Sequence, residues 1–509
     1  MPPQIVTTEE NPLDIDCNAL VVGAFEGAGG PQLARVGAEA DERLGGLLSE
    51  ALREARFKGK VGTTSLITTL GRLPAGVIVV AGLGPEDGVG PTEVRRTAGA
   101  AAKRLADRTE VVTALAGGMG DDAAAAAVEG HLLASYRFKK YVSVEEQVEH
   151  TTRLVVCAST RAADRGQIYA EATNAARDLV NDPPDRLTPT VFAERAAEIA
   201  DVAGLSCKVF DEAELAARGF GGLLAVARGS VEPPRLVELN YSPAGATERV
   251  TIIGKGVTYD TGGLTIKSPA GMQNMKTDMA GGAAVIAVMS ALPKLDIPVS
   301  VRALIPMTEN MIGPAAMRVD DVLVHYGGRT TEMSNADAEG RLILADALAL
   351  ASEDPPDAMV DIATLTGHIV IGLGESVGAL FSNDDTLTKE LRAAGDRAGE
   401  DLWPMPLYPG YEKQLDSDVA DQKNVGKREG GGISAALFLQ RFVGDGIPWA
   451  HLDIAGPGRW DGATELGPKG GSGFGTRTLL GWIERVGSAE RRTAERAGSA
   501  GRRTEGRAR

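Results

Sequence analysis

The segment NADAEGRL, Asn335 to Leu342, places Asp337, Glu339 and Arg341 at alternate positions with only Ala338 and Gly340 between them. If it is extended, all three ionised side chains point to one face, because successive residues of a strand alternate sides. Two carboxylates on one face repel, so the pattern makes sense only if a cation meets them. Two further blocks carry residues of the same kind: GKGVTYDTGGLTIK offers Lys255, Asp260 and Lys267, and MKTDMAGG offers Asp278.

Each of these residues has an ordinary explanation when taken alone. Asp260 before TGG can make an Asx turn, and Asp278 ahead of an alanine-rich run can cap a helix. Arg341 can pair with its neighbouring carboxylates, and Lys255 and Lys267 can be surface charges. Taken together they fall where strands hand over to turns or helices, which is where α/β proteins build their sites. Four carboxylates converging there need more positive charge than three basic side chains bring, and divalent metal ions supply it. Oxygen donors suit Mg2+ and Mn2+, and Zn2+ also accepts carboxylates, so the donor set leaves the metal open. Two ions about 3 to 4 Å apart polarise a carbonyl and lower the pKa of a shared water, which is the chemistry of hydrolysis.

The elements that must hold these residues alternate along the chain. RVTIIGKGVTYD reads as a strand ending in a turn, MAGGAAVIAVMSAL as a helix, VSVRALIP as a strand, RLILADALALAS as a helix and AMVDIATLTG as a strand. The pattern predicts a large C-terminal α/β domain with a mainly parallel central sheet. Before it, ALVVGAF and GVIVVAGLG read as buried strands, and EVRRTAGAAAKRLADR and DDAAAAAVEGHLLASYRF as helices. They form a smaller N-terminal α/β domain over residues 1–150 with no evident chemistry. The polar stretch KKYVSVEEQVEHTTR reads as a hinge into a linker helix region over 151–190, which the paired prolines of NDPPDRLTP bring to an end. Residues 191–486 remain for the catalytic domain. After Val486 come seven Arg and three Glu with no aliphatic side chain larger than Ala. Such a tail, 487–509, has no hydrophobic face to bury and reads as solvated and disordered.

Bulk properties narrow the function. A chain of 509 residues is too long for one core, which suggests two or three domains. A formal net charge of −16 weighs against nucleic acid as a partner, since phosphate binding rests on clustered Lys and Arg. Cys17, Cys157 and Cys207 are scattered and unpaired in spacing, which suits reduced thiols. The first residues lack the basic-then-apolar pattern of a leader, and no run approaches the roughly 18 apolar residues of a membrane span. The expectation is a cytoplasmic protein. HExxH and Walker patterns are absent and only five His occur, so a metal site would rest on carboxylates.

NADAEGRL resembles the NTDAEGRL signature of the leucyl aminopeptidases, the M17 family of dinuclear metallopeptidases. The blocks ARDLVNDPPDRLTP, GLLAVARGSVEPPRLVELNY, GKGVTYDTGGLTIK, MKTDMAGGAAV, DIATLTG, GGGISAALFLQRFV and HLDIAG are similar in order and spacing, over roughly residues 165 to 482. The resemblance implies two divalent ions, Mn2+ or Zn2+. Lys255, Asp260, Asp278 and Glu339 would hold one, and Asp260, Asp337 and Glu339 the other. It also implies that Lys267 stabilises the oxyanion and that Arg341 holds a bicarbonate ion acting as general base. A lysine ligand must be neutral, which nearby dications make possible. Met275, Thr364 and Gly367 match positions lining the pocket for the first side chain, which suits Leu or another apolar residue. The implied substrates are peptides with a free N-terminus, cleaved one residue in during intracellular protein and peptide turnover, and the implied assembly is a homohexamer.

Two departures leave the ligands untouched: Ala336 stands where the family has Thr, and Tyr259 where Phe is common. His368 follows DIATLTG where the family carries a small residue, and a ring packed against the sheet is expected. Two other functions compete. One is a two-metal phosphoesterase, disfavoured by the lack of a Gly-rich phosphate loop; the other is a DNA-binding regulator on the same scaffold, disfavoured by the acidic balance.

Overall fold

A computed structural model describes the protein over residues 3–143 and 151–488. The middle of the expected hinge, residues 144–150, and nearly all of the Arg-rich tail lie outside the described residues. Two units are present: one built from the chain up to Asn174 together with Arg397–Gly399 and Trp460–Ser472, the other from the remainder.

The first unit holds a seven-stranded sheet. Its centre is the strand Cys17–Phe25, paired in parallel with Ala75–Gly84 and with Glu110–Thr113. Both long strands are buried almost throughout, which explains their unbroken runs of Val, Ile and Leu. The helices Pro91–Arg104 and Asp121–Ala134 approach closely. Gly130 permits this, since a Cβ there would lie 2.0 Å from the Arg95 carbonyl oxygen. Between them Arg95 Nε meets Glu129 Oε2 at 2.5 Å, both buried.

The second unit carries a nine-stranded sheet. Its middle is parallel: Glu248–Gly254 lies between Val299–Asn310 and Ala358–Ala363, and the latter pairs onward with Trp449–Asp453. Antiparallel neighbours flank this core, Arg235–Tyr241 on one side and Gly378–Ser382 on the other. The mainly parallel sheet and the two-domain α/β plan are as the sequence predicts. RVTIIGKGVTYD differs: it makes two strands, Glu248–Gly254 and Gly256–Asp260, broken at Lys255. After the break the chain remains paired with the far half of Val299–Asn310.

The helix Ala280–Leu295 explains the break. A Cβ on Gly281 would lie 2.0 Å from the Ile362 carbonyl oxygen, and Gly282 N donates to Lys255 O at 2.7 Å. Only glycines let the start of this helix sit between the diverging strand ends. The segment Pro269–Leu295 is long and apolar enough to cross a membrane by length and composition alone. It is mostly buried in its unit, as a core helix is.

Candidate active site

Lys255 occupies the strand break with 2% of its surface exposed. Its Nζ lies 2.8 Å from Asp278 Oδ1, 2.8 Å from Glu339 Oε1 and 3.0 Å from the Thr364 carbonyl oxygen. Burial disfavours the ammonium, but Asp278, Glu339 and Asp260 outweigh it, and the net shift is upward. Gly340 makes this reach possible: a Cβ there would meet Lys255 Cε, Nζ and Cδ at 2.6 to 2.9 Å.

Asp260 ends the strand Gly256–Asp260 and uses its two oxygens differently. Oδ1 accepts from Gly262 N and from Asn310 Nδ2, both at 2.8 Å, while Oδ2 faces Lys267 Nζ at 2.8 Å. The Asx turn expected as the ordinary role of this residue is therefore made by one oxygen, and the other remains for the site. Lys267 also contacts Asp337. Asp278 does not act as a side-chain cap; Met279 holds the cap position without a side-chain bond, and Asp278 Oδ1 accepts from Thr364 Oγ1 at 2.9 Å.

NADAEGRL is not extended. Asn335 to Ala338 form a turn, and the helix Gly340–Ser352 follows with Glu339 at its cap position. Asp337 N donates to Asn335 Oδ1 at 2.8 Å, which tightens the turn. Asp337 and Glu339 still converge, but Arg341 reaches its place from the first turn of a helix. Its Nη1 donates to the Asn424 carbonyl oxygen at 2.8 Å, while Nε is buried with no hydrogen-bond partner. Burial pushes the guanidinium down to about 10, against the pull of Glu339 and Asp453.

One carboxylate oxygen from each of Asp260, Asp337 and Glu339 lies within 4.8 Å of the others. Burial pushes Asp260 up to about 6, aided by Glu339, with the lysines opposing. Burial likewise raises Asp278 and Asp337, while Lys255 and Lys267 overcome it at Glu339 and hold that carboxyl below its usual range. Glu339 Oε2 is buried without a hydrogen-bond partner. Crowded carboxylates, an orphaned anionic oxygen and charged lysines filling the gap are a donor set that fits divalent cations.

Of the three residues expected to line a pocket, only Thr364 bonds a member of this cluster. Met275 opens the turn ending at Asp278, Thr364 bonds that carboxylate, and Gly367 starts the next helix with open space where a Cβ would stand. His368 is not packed against the sheet. The strand stops at Ala363 and Thr366 caps the helix Gly367–Leu373, so the ring falls on an exposed first turn beside Gly431. Burial, then Arg341 and Arg428, lower its pKa. Sequence reasoning missed Asn310, Asn424 and Asp453. Asn310 and Asp453 end strands, and that position was the available signal; Asn424 follows the two-residue strand Gln422–Lys423, too short to show in the sequence.

The profile of the cytosol aminopeptidase family, catalytic domain, matches residues 174–480, and that of its N-terminal domain residues 21–145. A relative from Nocardia farcinica named "Probable cytosol aminopeptidase" is 42% identical, with 95% of this chain and 97% of that one covered. One of the same name from Geobacter sp. (strain M21) is 40% identical over 95% and 100%. Among solved structures, the bottromycin maturation enzyme BotP in complex with Mn superposes with a TM-score of 0.83 at 40% identity, over 93% of this chain and 100% of that one. A mutant tomato leucine aminopeptidase gives 0.85 at 31%, over 95% and 97%.

Proposed function

The chain belongs to the cytosol aminopeptidase family, the M17 metallo-aminopeptidases, and on that premise we propose that it releases Leu, or another apolar residue, from the N-terminus of peptides during intracellular peptide turnover. The observation that carries the reading is the convergence of Asp260, Asp337 and Glu339, with Asp278 and Lys255 adjoining. Two divalent ions, Mn2+ or Zn2+, supply Lewis acidity and an activated water when bound.

The remaining roles belong to the chain itself. Lys255, Asp260, Asp278 and Glu339 would hold one ion, and Asp260, Asp337 and Glu339 the other. Lys267, charged and only partly buried, stabilises the oxyanion that forms as the peptide carbonyl is attacked. Arg341 would hold a bicarbonate ion, toward which its Nε, buried without a hydrogen-bond partner, offers a donor; such an ion would supply the general base when bound. The free α-amino group of the substrate, in its neutral form, would bind a metal ion, and Met275, Thr364 and Gly367 would line the pocket for its first side chain. The protein works in the cytoplasm as a homohexamer, apart from membranes and DNA.

Leucine p-nitroanilide and p-nitrophenyl phosphate, offered with Mn2+, test the reaction class. Turnover of the anilide alone is expected, and turnover of the phosphate alone would overturn the reading. Light scattering tests the hexamer, with a monomer as the refuting result. A second reading, processing of one dedicated peptide product, is favoured by the 40% identity to the bottromycin maturation enzyme. A panel of Leu, Met and Asp anilides, all poor substrates, would favour it.

A further inference from the structure

Asp453 ends the strand Trp449–Asp453 and is fully buried. Its Oδ1 accepts from Leu365 N and Ala455 N, each at 3.1 Å, and its Oδ2 from Thr366 N at 3.1 Å and Thr366 Oγ1 at 2.7 Å. A buried carboxylate at a strand end often does no more than satisfy backbone donors. Here the turn it holds, Thr364 to Thr366, has a task at each end.

At its first residue, the Thr364 carbonyl oxygen accepts from Lys255 Nζ at 3.0 Å and Thr364 Oγ1 donates to Asp278 Oδ1 at 2.9 Å. At its last residue, Thr366 Oγ1 accepts from Ile369 N at 3.4 Å and so starts the helix on which Gly367 faces open space. The parallel ladder orders the strand only as far as Ala363, paired with Asp453 itself. Beyond that pair no strand hydrogen bond guides the chain, and the Asp453 carboxylate takes over.

We propose that Asp453 is a positioning residue that sets two things through one turn: the orientation of Lys255 and Asp278 toward a metal ion, and the placement of the helix start bordering the substrate's first side chain. None of its hydrogen bonds goes to a candidate metal ligand, so it acts through Thr364 and Thr366. The inference rests on the dimetal reading above.

The test uses the full-length protein stripped of metal and reloaded with Mn2+, with affinity read by competition against a fluorescent chelator. In Asp453→Asn the amide nitrogen cannot accept from Thr366, and Thr366→Val removes the hydroxyl alone. Each variant is expected to weaken Mn2+ binding by about 10- to 100-fold, the range for groups that orient metal ligands. Each should also raise KM for leucine p-nitroanilide at saturating Mn2+, and the double variant should be no worse than about twofold beyond the weaker single one, because both cut the same connection. Mn2+ affinity and KM within twofold of wild type in folded Thr366→Val would overturn the proposal, even if Asp453→Asn fails to fold. Additive losses in the double variant would overturn it too. Failure of the wild type to bind Mn2+ would instead remove the dimetal premise.

Discussion

Gly340 has no chemistry of its own, yet Lys255 depends on it. Alanine in its place gains up to about 1 kcal/mol of helix propensity, but its methyl would fall 2.6 Å from Lys255 Cε. The clash decides the outcome: Gly340→Ala is expected to lose at least tenfold in Mn2+ affinity with little gain in stability, as chelator competition and thermal unfolding would report. Lys255→Arg keeps the charge but cannot shed it, since guanidinium does not deprotonate in proteins. The expected result is a loss of about a hundredfold or more in kcat/KM, and near-normal activity would remove Lys255 from the metal. The acidic and basic members of the cluster were legible in the sequence because their types are costly to bury together. Gly340 was not, since a glycine at a helix start looks the same whether it turns the chain or clears room for a neighbour.

Elements were legible where periodicity speaks for itself, and less so where tertiary packing decides. The strand Val299–Asn310 and the helix Gly340–Ser352 follow from their apolar patterns. Alternating charges in NADAEGRL suggested an extended chain, but the helix that follows draws Glu339 into helical geometry, and convergence comes from a turn. The break at Lys255 likewise depends on a helix about twenty-five residues further on. In the first unit, the alanine-rich helix Asp121–Ala134 carries His131 into the core, where burial pushes its pKa down to about 4. The folded state therefore keeps this ring neutral, while the unfolded chain protonates it below its ordinary value of 6.5. The unfolded state then binds the extra proton, so stability from this group is complete above pH 6.5 and falls as pH drops toward 4. The loss amounts to something on the order of 3 kcal/mol for the wild type, and His131→Leu should flatten that slope in urea unfolding measured at pH 7 and pH 4.5.

At the scale of the whole molecule, metal and fold are linked. Mn2+ at a hundred times its dissociation constant adds about 2.7 kcal/mol to the folded state. Chelation is accordingly expected to lower Tm by roughly 2 to 4 °C for a chain of this size, and an unchanged Tm would count against metal bound to the acidic cluster. Unfolding should remain cooperative after chelation, because Lys255 and Lys267 already neutralise much of the carboxylate charge. Neither the two-unit plan nor this internal compensation needed a metal to be visible, but only the structure reveals that the lysines do the compensating. The two ammonium groups can thus offset the carboxylates without a cation, and the metal-free chain is expected to complete its core before any ion is delivered. A cell starved of metal would hold a dormant, folded stock rather than debris for proteases to clear. Resupplying Mn2+ with translation blocked is expected to awaken that stock within minutes, whereas recovery that waits for new synthesis would refute it.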